Sequence, residues 1–334
     1  MAEGNEHLKT LAQAFRHAAK MRKDVKSGIN EAGTEEIDDV RPDDAALVSD
    51  FFKHERSGIP YTNYPQFALT LWTTVLDQAS DDPEYQDFQQ RLIRAALDVD
   101  TGAFMYADAQ QALPALLEKY GDMVEKFGLW SKGDVFLTGF QMQKIVKSRI
   151  LHKVFGHYKG IQGGRTLLKE KAFFVVDEDK HLQAREMLEE RIRREPEKML
   201  KVVVIDDVQE NLEAFGELTA DLSSDKGTAI EFVPILVDRN PRPNGKPSDM
   251  LTIRSFSELL DADMESLFAG ATVFVDYDGV LSNNELQTKA HTELVFRTLV
   301  NFVSQKNNLD SSRSAEIVRQ RISTALGKVP DNRE

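Results

Sequence analysis

Four aspartates and a lysine, each placed just beyond an apolar run, carry the chemistry open to this sequence. Asp276 and Asp278 follow Ala271-Thr272-Val273-Phe274-Val275, one residue apart, with Gly279 behind them. Asp206 and Asp207 follow the run from Lys201 to Ile205, with Asn211 four residues further on. Lys180 follows Ala172-Phe173-Phe174-Val175-Val176 by way of Asp177 and Asp179, and Thr138 follows Val135-Phe136-Leu137. If these runs are strands of a parallel sheet, their C-terminal ends share one edge and the groups can meet in one cleft. Carboxylates without thiolates or clustered histidines are hard oxygen donors. They suit Mg²⁺, which keeps several waters and takes substrate phosphate as well. A lysine among them offsets charge on a phosphoryl group and on the carboxylates themselves. With no cation nearby, that many carboxylates repel and some are driven to protonate.

The elements that must position these groups alternate. A helix is expected over Ala109–Phe127, a short strand over 134–137, and a helix over Gln141–Phe155. A strand over 172–176 and a charged helix to about Arg194 follow. Then come a strand over 201–205, a helix near Asn211–Leu222, a strand over Ile230–Val237 and the strand 271–275. Strands alternating with helices indicate an α/β fold, a Rossmann-like doubly wound parallel sheet covered on both faces. Continuous Val/Ile/Phe runs fit strands buried on both sides. Residues 1–100 look helical instead, with Leu8, Leu11, Ala12, Phe15 and Ala18 on one stripe and further stripes over Phe67–Leu76 and Phe88–Leu97. Phe51, Phe52, Tyr61, Tyr64 and Trp72 could line a ligand pocket, but a helical core is the simpler reading. Two more amphipathic helices are expected after Asn284, around Leu294 and around Val318.

Composition narrows the partners. The 334 residues carry 42 basic and 55 acidic side chains, a net charge of -13, which argues against non-specific binding to nucleic acid. There is no cysteine, so disulfides, thiolate metal sites and a cysteine nucleophile are excluded. No apolar run approaches the ~20 residues that span a bilayer, and Met1–Lys26 lacks a signal-peptide core. The expectation is a soluble, cytoplasmic protein with no membrane partner. The seven histidines show no ligand spacing, and Gly160–Gly164 reads as a loop, since it lacks the phosphate-loop lysine.

Taken together, the strand tips resemble the haloacid dehalogenase superfamily, a group of aspartate-nucleophile phosphatases. Asp276-Tyr277-Asp278-Gly279-Val280 is similar to its first motif, Thr138 to its second, Lys180 to its third, and Asp206-Asp207 with Asn211 to its fourth. The order along the chain departs from the family's: second, third, fourth, first. A circular permutation accounts for this, because a strand is held by its sheet neighbours and not by its place in the chain. The resemblance implies a core over 101–283 and an α-helical cap split between 1–100 and 284–334. It implies Asp276 as nucleophile and Asp278 as general acid and base, with Thr138 and Lys180 holding the phosphoryl group. Mg²⁺ would be held by Asp206, Asp207, Asp276 and the backbone carbonyl of Asp278. The substrate would be a small phosphomonoester, a nucleotide or a phosphoprotein, in a phosphatase or phosphotransferase reaction. The permutation predicts that strand 271–275 lies inside the sheet, next to strand 201–205.

Simpler readings stand beside these. Aspartates are common in turns after strands and as helix N-caps, Thr138 can be a plain turn residue, and Lys180 a solvated charge, with Lys169 and Lys171 as weaker candidates. Lys201–Leu222 also resembles the opening of a response-regulator receiver domain, with Asp238 as its phosphoacceptor. A catalytically inactive, partner-binding member of the superfamily is a third possibility.

Overall fold

The computed structural model describes residues 41–53, 68–133, 140–157, 159–162, 165–168, 171–177, 179–240 and 250–327. Thr138, Tyr61, Tyr64 and the stripe from Leu8 to Ala18 lie outside the described residues. The α-helices are α1 (Pro42–Lys53), α2 (Tyr85–Asp98), α3 (Ala107–Tyr120), α4 (Phe140–Lys147), α5 (Ile150–His157), α6 (Lys180–Arg194), α7 (Gln209–Lys226), α8 (Glu265–Phe268), α9 (Asn284–Asn307) and α10 (Ser311–Ala325). The strands are β1 (Lys126–Lys132), β2 (Lys159–Gln162), β3 (Arg165–Leu168), β4 (Ala172–Asp177), β5 (Leu200–Asp206), β6 (Ile230–Val237), β7 (Leu251–Ile253) and β8 (Ala271–Val275).

Among the described residues, six strands form one all-parallel sheet in the order β4-β1-β8-β5-β6-β7. β8 lies inside it, between β1 and β5, next to the strand it was expected to adjoin. Every residue of β8 is buried, and β5 is nearly so, which is why both read as unbroken apolar runs. The two faces are covered by different helices, giving a doubly wound α/β fold. On one, Val202 and Val204 of β5 and Phe274 of β8 pack with Leu188 of α6 and Phe215 of α7. On the other, Tyr120 of α3 stacks on Phe268 of α8 at 4.8 Å.

Contacts divide the chain into two compact units. One draws on the described parts of Met1–Val99, Phe136–Gln143 and Thr288–Glu334, the other on Asp100–Val135 and Lys144–Gln287. In the first, early and late helices share one core. Trp72, Phe88 and Phe302 meet with ring centroids 5.1 to 5.4 Å apart, among Val295, Leu299, Val318 and Ile322. Arg319 of α10 closes on the buried Asp44 of α1 with two hydrogen bonds, at 2.6 and 2.9 Å. Trp72 and Phe51 are therefore core residues.

Three local expectations need correction. The helix expected to Phe127 stops at Tyr120, and Lys126–Lys132 is the strand that pairs with both β4 and β8. Tertiary pairing overrides the helical pattern there, and Gly128 permits it: a Cβ would sit 2.3 Å from the carbonyl oxygen of Phe173. The helix expected over 141–155 is two helices. Arg149 takes φ +58° between them, and the Ser148 hydroxyl turns back to donate to Ile145 O at 2.7 Å. The glycine-rich stretch is no simple loop, since Lys159–Gln162 pairs antiparallel with Arg165–Leu168.

Candidate active site

Sheet register sets the first contact. Ile205 lies opposite Val275, so Asp206 and Asp276 leave neighbouring strands side by side, and Asp276 N–H donates to Ile205 O at 2.9 Å. Lys180 is delivered by α6, whose N-cap Asp179 accepts the N–H of Leu182 at 3.0 Å. Its Nζ lies 2.8 Å from Asp206 Oδ2 and 3.1 Å from Asp276 Oδ1, and all three side chains are buried. Trp130 of β1 steadies this lysine. Its indole N–H donates to Lys180 O at 2.7 Å, and its ring lies 3.7 Å from Nζ. Burial works against the Lys180 charge, but Asp276 and Asp206 outweigh it and raise its pKa above the ordinary value. Lys180 is thus no solvated helix charge.

Asp206 is held from every side. Its Oδ1 accepts the N–H of Val208 at 2.9 Å, and the Asn211 amide reaches both its oxygens at 3.1 and 3.2 Å. Asp276 differs. Lys180 takes Oδ1, and no described residue hydrogen-bonds Oδ2. Asp207 stands at the pocket rim, pressed against Gly279, where a Cβ would fall 1.8 Å from Asp207 Oδ2. Gly279 also has φ +74°, in the left-handed region. A glycine is needed here on both counts.

Asp278 turns away from the cluster toward a residue that the sequence reading missed. Lys144 of α4, itself buried, brings Nζ to 2.6 Å from Asp278 Oδ1. Arg239, which follows β6, braces the same turn. It donates to Gly279 O at 3.3 Å and Val280 O at 2.7 Å, forms two hydrogen bonds to Asp108 at 2.9 and 3.0 Å, and lies over the Tyr106 ring. Burial opposes the Asp108 charge, yet bonds from Arg239, Phe256 N–H and Ser255 hold its pKa below the ordinary value.

Lys180, Asp207, Asn211, Asp276, Asp278 and Gly279 line a pocket of about 170 Å³. Ser131, buried at the end of β1, is on its wall and is the described hydroxyl nearest in role to the one expected of Thr138. Ser131 was readable only by seeing Phe127-Gly128-Leu129-Trp130 as a strand, and nothing in the sequence marks Lys144 among the lysines of α4. Other candidates do not join the cluster. Asp177 accepts the N–H of Asp179, and Lys171 donates to carbonyls at the C-terminal end of α3. Asp238 does not line the pocket. His181 serves the site indirectly, its ring nitrogen 3.2 Å from Asn211 O.

Charge in the pocket does not balance. Among the described residues, Asp206, Asp207, Asp276 and Asp278 are met by the buried ammoniums of Lys144 and Lys180 and by the exposed Lys132 on the pocket wall, three cations for four carboxylates. Burial raises the pKa of Asp276 well above the ordinary value, with Lys180 pulling it down and the neighbouring carboxylates pushing it up. The carboxyl of Asp207 reaches solvent but has protein and Asp206 close by, and is pushed up to about 6. A divalent cation would restore the balance. One carboxylate oxygen each from Asp206, Asp207 and Asp276 lie within 4.8 Å of one another, a hard donor set that fits Mg²⁺.

No protein-family model, curated protein or solved structure matches this chain. Among the described residues, no helix is long and apolar enough to cross a membrane.

Proposed function

We propose that this chain is a Mg²⁺-dependent phosphatase or phosphotransferase of haloacid dehalogenase type, circularly permuted, acting through an aspartyl-phosphate on Asp276. The observation that carries the reading is the meeting of Asp276, Asp206 and Asp207, from the tips of the adjacent strands β8 and β5, with Lys180 from the start of α6, beside one small pocket. The interior position of β8, the last strand in chain order, supports the permutation. The volume supports a phosphoryl group as the part of the substrate that enters, because whole small-molecule ligands occupy pockets of roughly 300–1,000 Å³.

In the proposed reaction, Asp276 Oδ2 attacks the substrate phosphorus and the bond to the leaving oxygen breaks. Asp278 gives its proton to that oxygen. Water then attacks the aspartyl-phosphate, Asp278 takes a proton from it, and inorganic phosphate leaves as the Asp276 carboxylate re-forms. In a transferase, an acceptor hydroxyl replaces the water. Lys180 fixes Asp276 and offsets charge on the transferring group, and Ser131 supplies a hydroxyl to it. Mg²⁺, held by Asp206, Asp207, Asp276 and the carbonyl of Asp278, would supply charge neutralisation when bound. The helical unit takes the role of a cap that selects among phosphomonoesters, nucleotides and phosphorylated proteins.

The test is turnover of p-nitrophenyl phosphate with Mg²⁺. Wild type should release phosphate, and Asp276→Asn or a chelator should abolish this. An Asp276→Asn variant as active as wild type, or no turnover across a broad panel of phosphate esters, refutes the reading.

A further inference from the structure

Resting on the phosphoryl-transfer reading, we propose that Lys144 is a positioning residue for Asp278, fixing one carboxylate oxygen so that the other meets the leaving group. A lysine as buried as Lys144, at 1% exposure, is rare unless it is paired. Its Nζ lies 2.6 Å from Asp278 Oδ1 and 3.4 Å from Asn284 Oδ1, so it grips both ends of the loop that leads from β8 into α9. A second tie holds the backbone at the same place: the buried Tyr277 hydroxyl donates to Lys144 O at 3.3 Å. The Ser282 hydroxyl, 3.5 Å away, adds to the restraint on Oδ1.

The pattern repeats that of the nucleophile. Lys180 holds Asp276 Oδ1 and leaves Oδ2 without a described partner, while Lys144 and Ser282 hold Asp278 Oδ1 and leave its Oδ2 likewise. Each aspartate has one oxygen anchored by a buried ammonium and one without a partner among the described residues. A carboxylate otherwise rotates about its last bond, and misplacement of a proton donor is costly because transfer needs hydrogen-bond reach. Lys144 does not line the pocket; it acts through Asp278.

The experiment compares wild type, Lys144→Met and Lys144→Arg, with Asp278→Asn and the Lys144→Met/Asp278→Asn double variant. Two esters are used: p-nitrophenyl phosphate, whose leaving group needs little protonation, and glycerol 2-phosphate, whose alkoxide needs a proton. General acid catalysis is worth about 10²–10⁴-fold. Lys144→Met should therefore lose at least ~100-fold in kcat on the alkyl ester, less than ~10-fold on the aryl ester, with KM little changed on either. Lys144→Arg should recover part of the loss, and the double variant should be no worse than Asp278→Asn alone. Circular dichroism checks folding, and Lys144→Gln, which keeps a donor without the charge, replaces Met if that variant does not fold. Equal losses on both esters, or additive losses in the double variant, overturn the proposal and leave the phosphoryl-transfer reading intact. No turnover of either ester by wild type overturns that reading, and the proposal falls with it.

Discussion

Removing the Lys180 ammonium tests the electrostatic core of the site without depending on any substrate. In Lys180→Met, Asp206 and Asp276 lose a cation that lies 2.8 and 3.1 Å away, with the three side chains only 0 to 8% exposed. Breaking a buried ion pair by deleting one partner costs about 3–5 kcal/mol. The loss of the charge over the Trp130 ring, now 3.7 Å from Nζ, adds little, because a thioether also packs well against an aromatic ring. The penalty should depend on pH. Asp276 already has a raised pKa with Lys180 in place, and removing the ammonium raises it further. An acid whose folded pKa exceeds its unfolded one binds more protons when folded, so stability falls as pH rises between the two values. One extra proton is worth about 1.4 kcal/mol per pH unit, so the penalty should shrink as pH falls from the variant's raised value for Asp276 toward the wild-type one. Urea unfolding in chelator, followed by circular dichroism and tryptophan fluorescence, reads this directly. A penalty under ~1 kcal/mol refutes a buried pairing of Lys180 with these carboxylates.

Asp207→Asn should behave in the opposite sense. The folded pKa of Asp207 is about 6 against an ordinary 3.8, so its ionisation weakens the fold as pH rises through that window. In metal-free buffer the asparagine variant should be the more stable above pH 6, by about 1 kcal/mol after allowing for solvent at the rim, and the difference should vanish near pH 4. Added Mg²⁺ should reverse the order, and an asparagine variant that is less stable at pH 8 without metal contradicts the argument. Gly279→Ala should displace Asp207, because the new methyl would overlap its carboxylate, and should add the strain of a left-handed backbone. Calorimetric titration should show Mg²⁺ affinity at least ~10-fold weaker, as for loss of groups that orient a metal ligand; unchanged affinity contradicts the crowding.

What could be read from the sequence, and what could not, follows from how each residue is positioned. Asp276 and Asp206 were legible because each follows a contiguous apolar run, and a strand buried on both faces has to look like that; Lys180 follows the apolar run of the partly buried edge strand β4. The sheet type followed from the same runs. β1 was not legible: Lys126-Phe127-Gly128-Leu129-Trp130-Ser131 mixes polar, glycine and aromatic residues, and it becomes a strand only because β4 and β8 flank it. Ser131 was lost along with it. Lys144 was hidden for another reason. On an amphipathic helix a lysine is normally solvated, and its burial here is decided by Asp278, 134 residues away.

The middle of the sheet is also the last part of it to be synthesised. When β7 has left the ribosome, β1 paired with β4 and β5 paired with β6 still face a gap that only residues 271–275 can fill. The helical core waits longer still, because Trp72 and Phe88 need Phe302, and α1 needs Arg319 of α10. Until those residues emerge, the nascent chain carries open strand edges and bare apolar helix faces, and these are the features that invite misassociation. The chain order that puts β8 after its neighbours thus makes folding depend on contacts between residues distant in sequence, and slow for that reason.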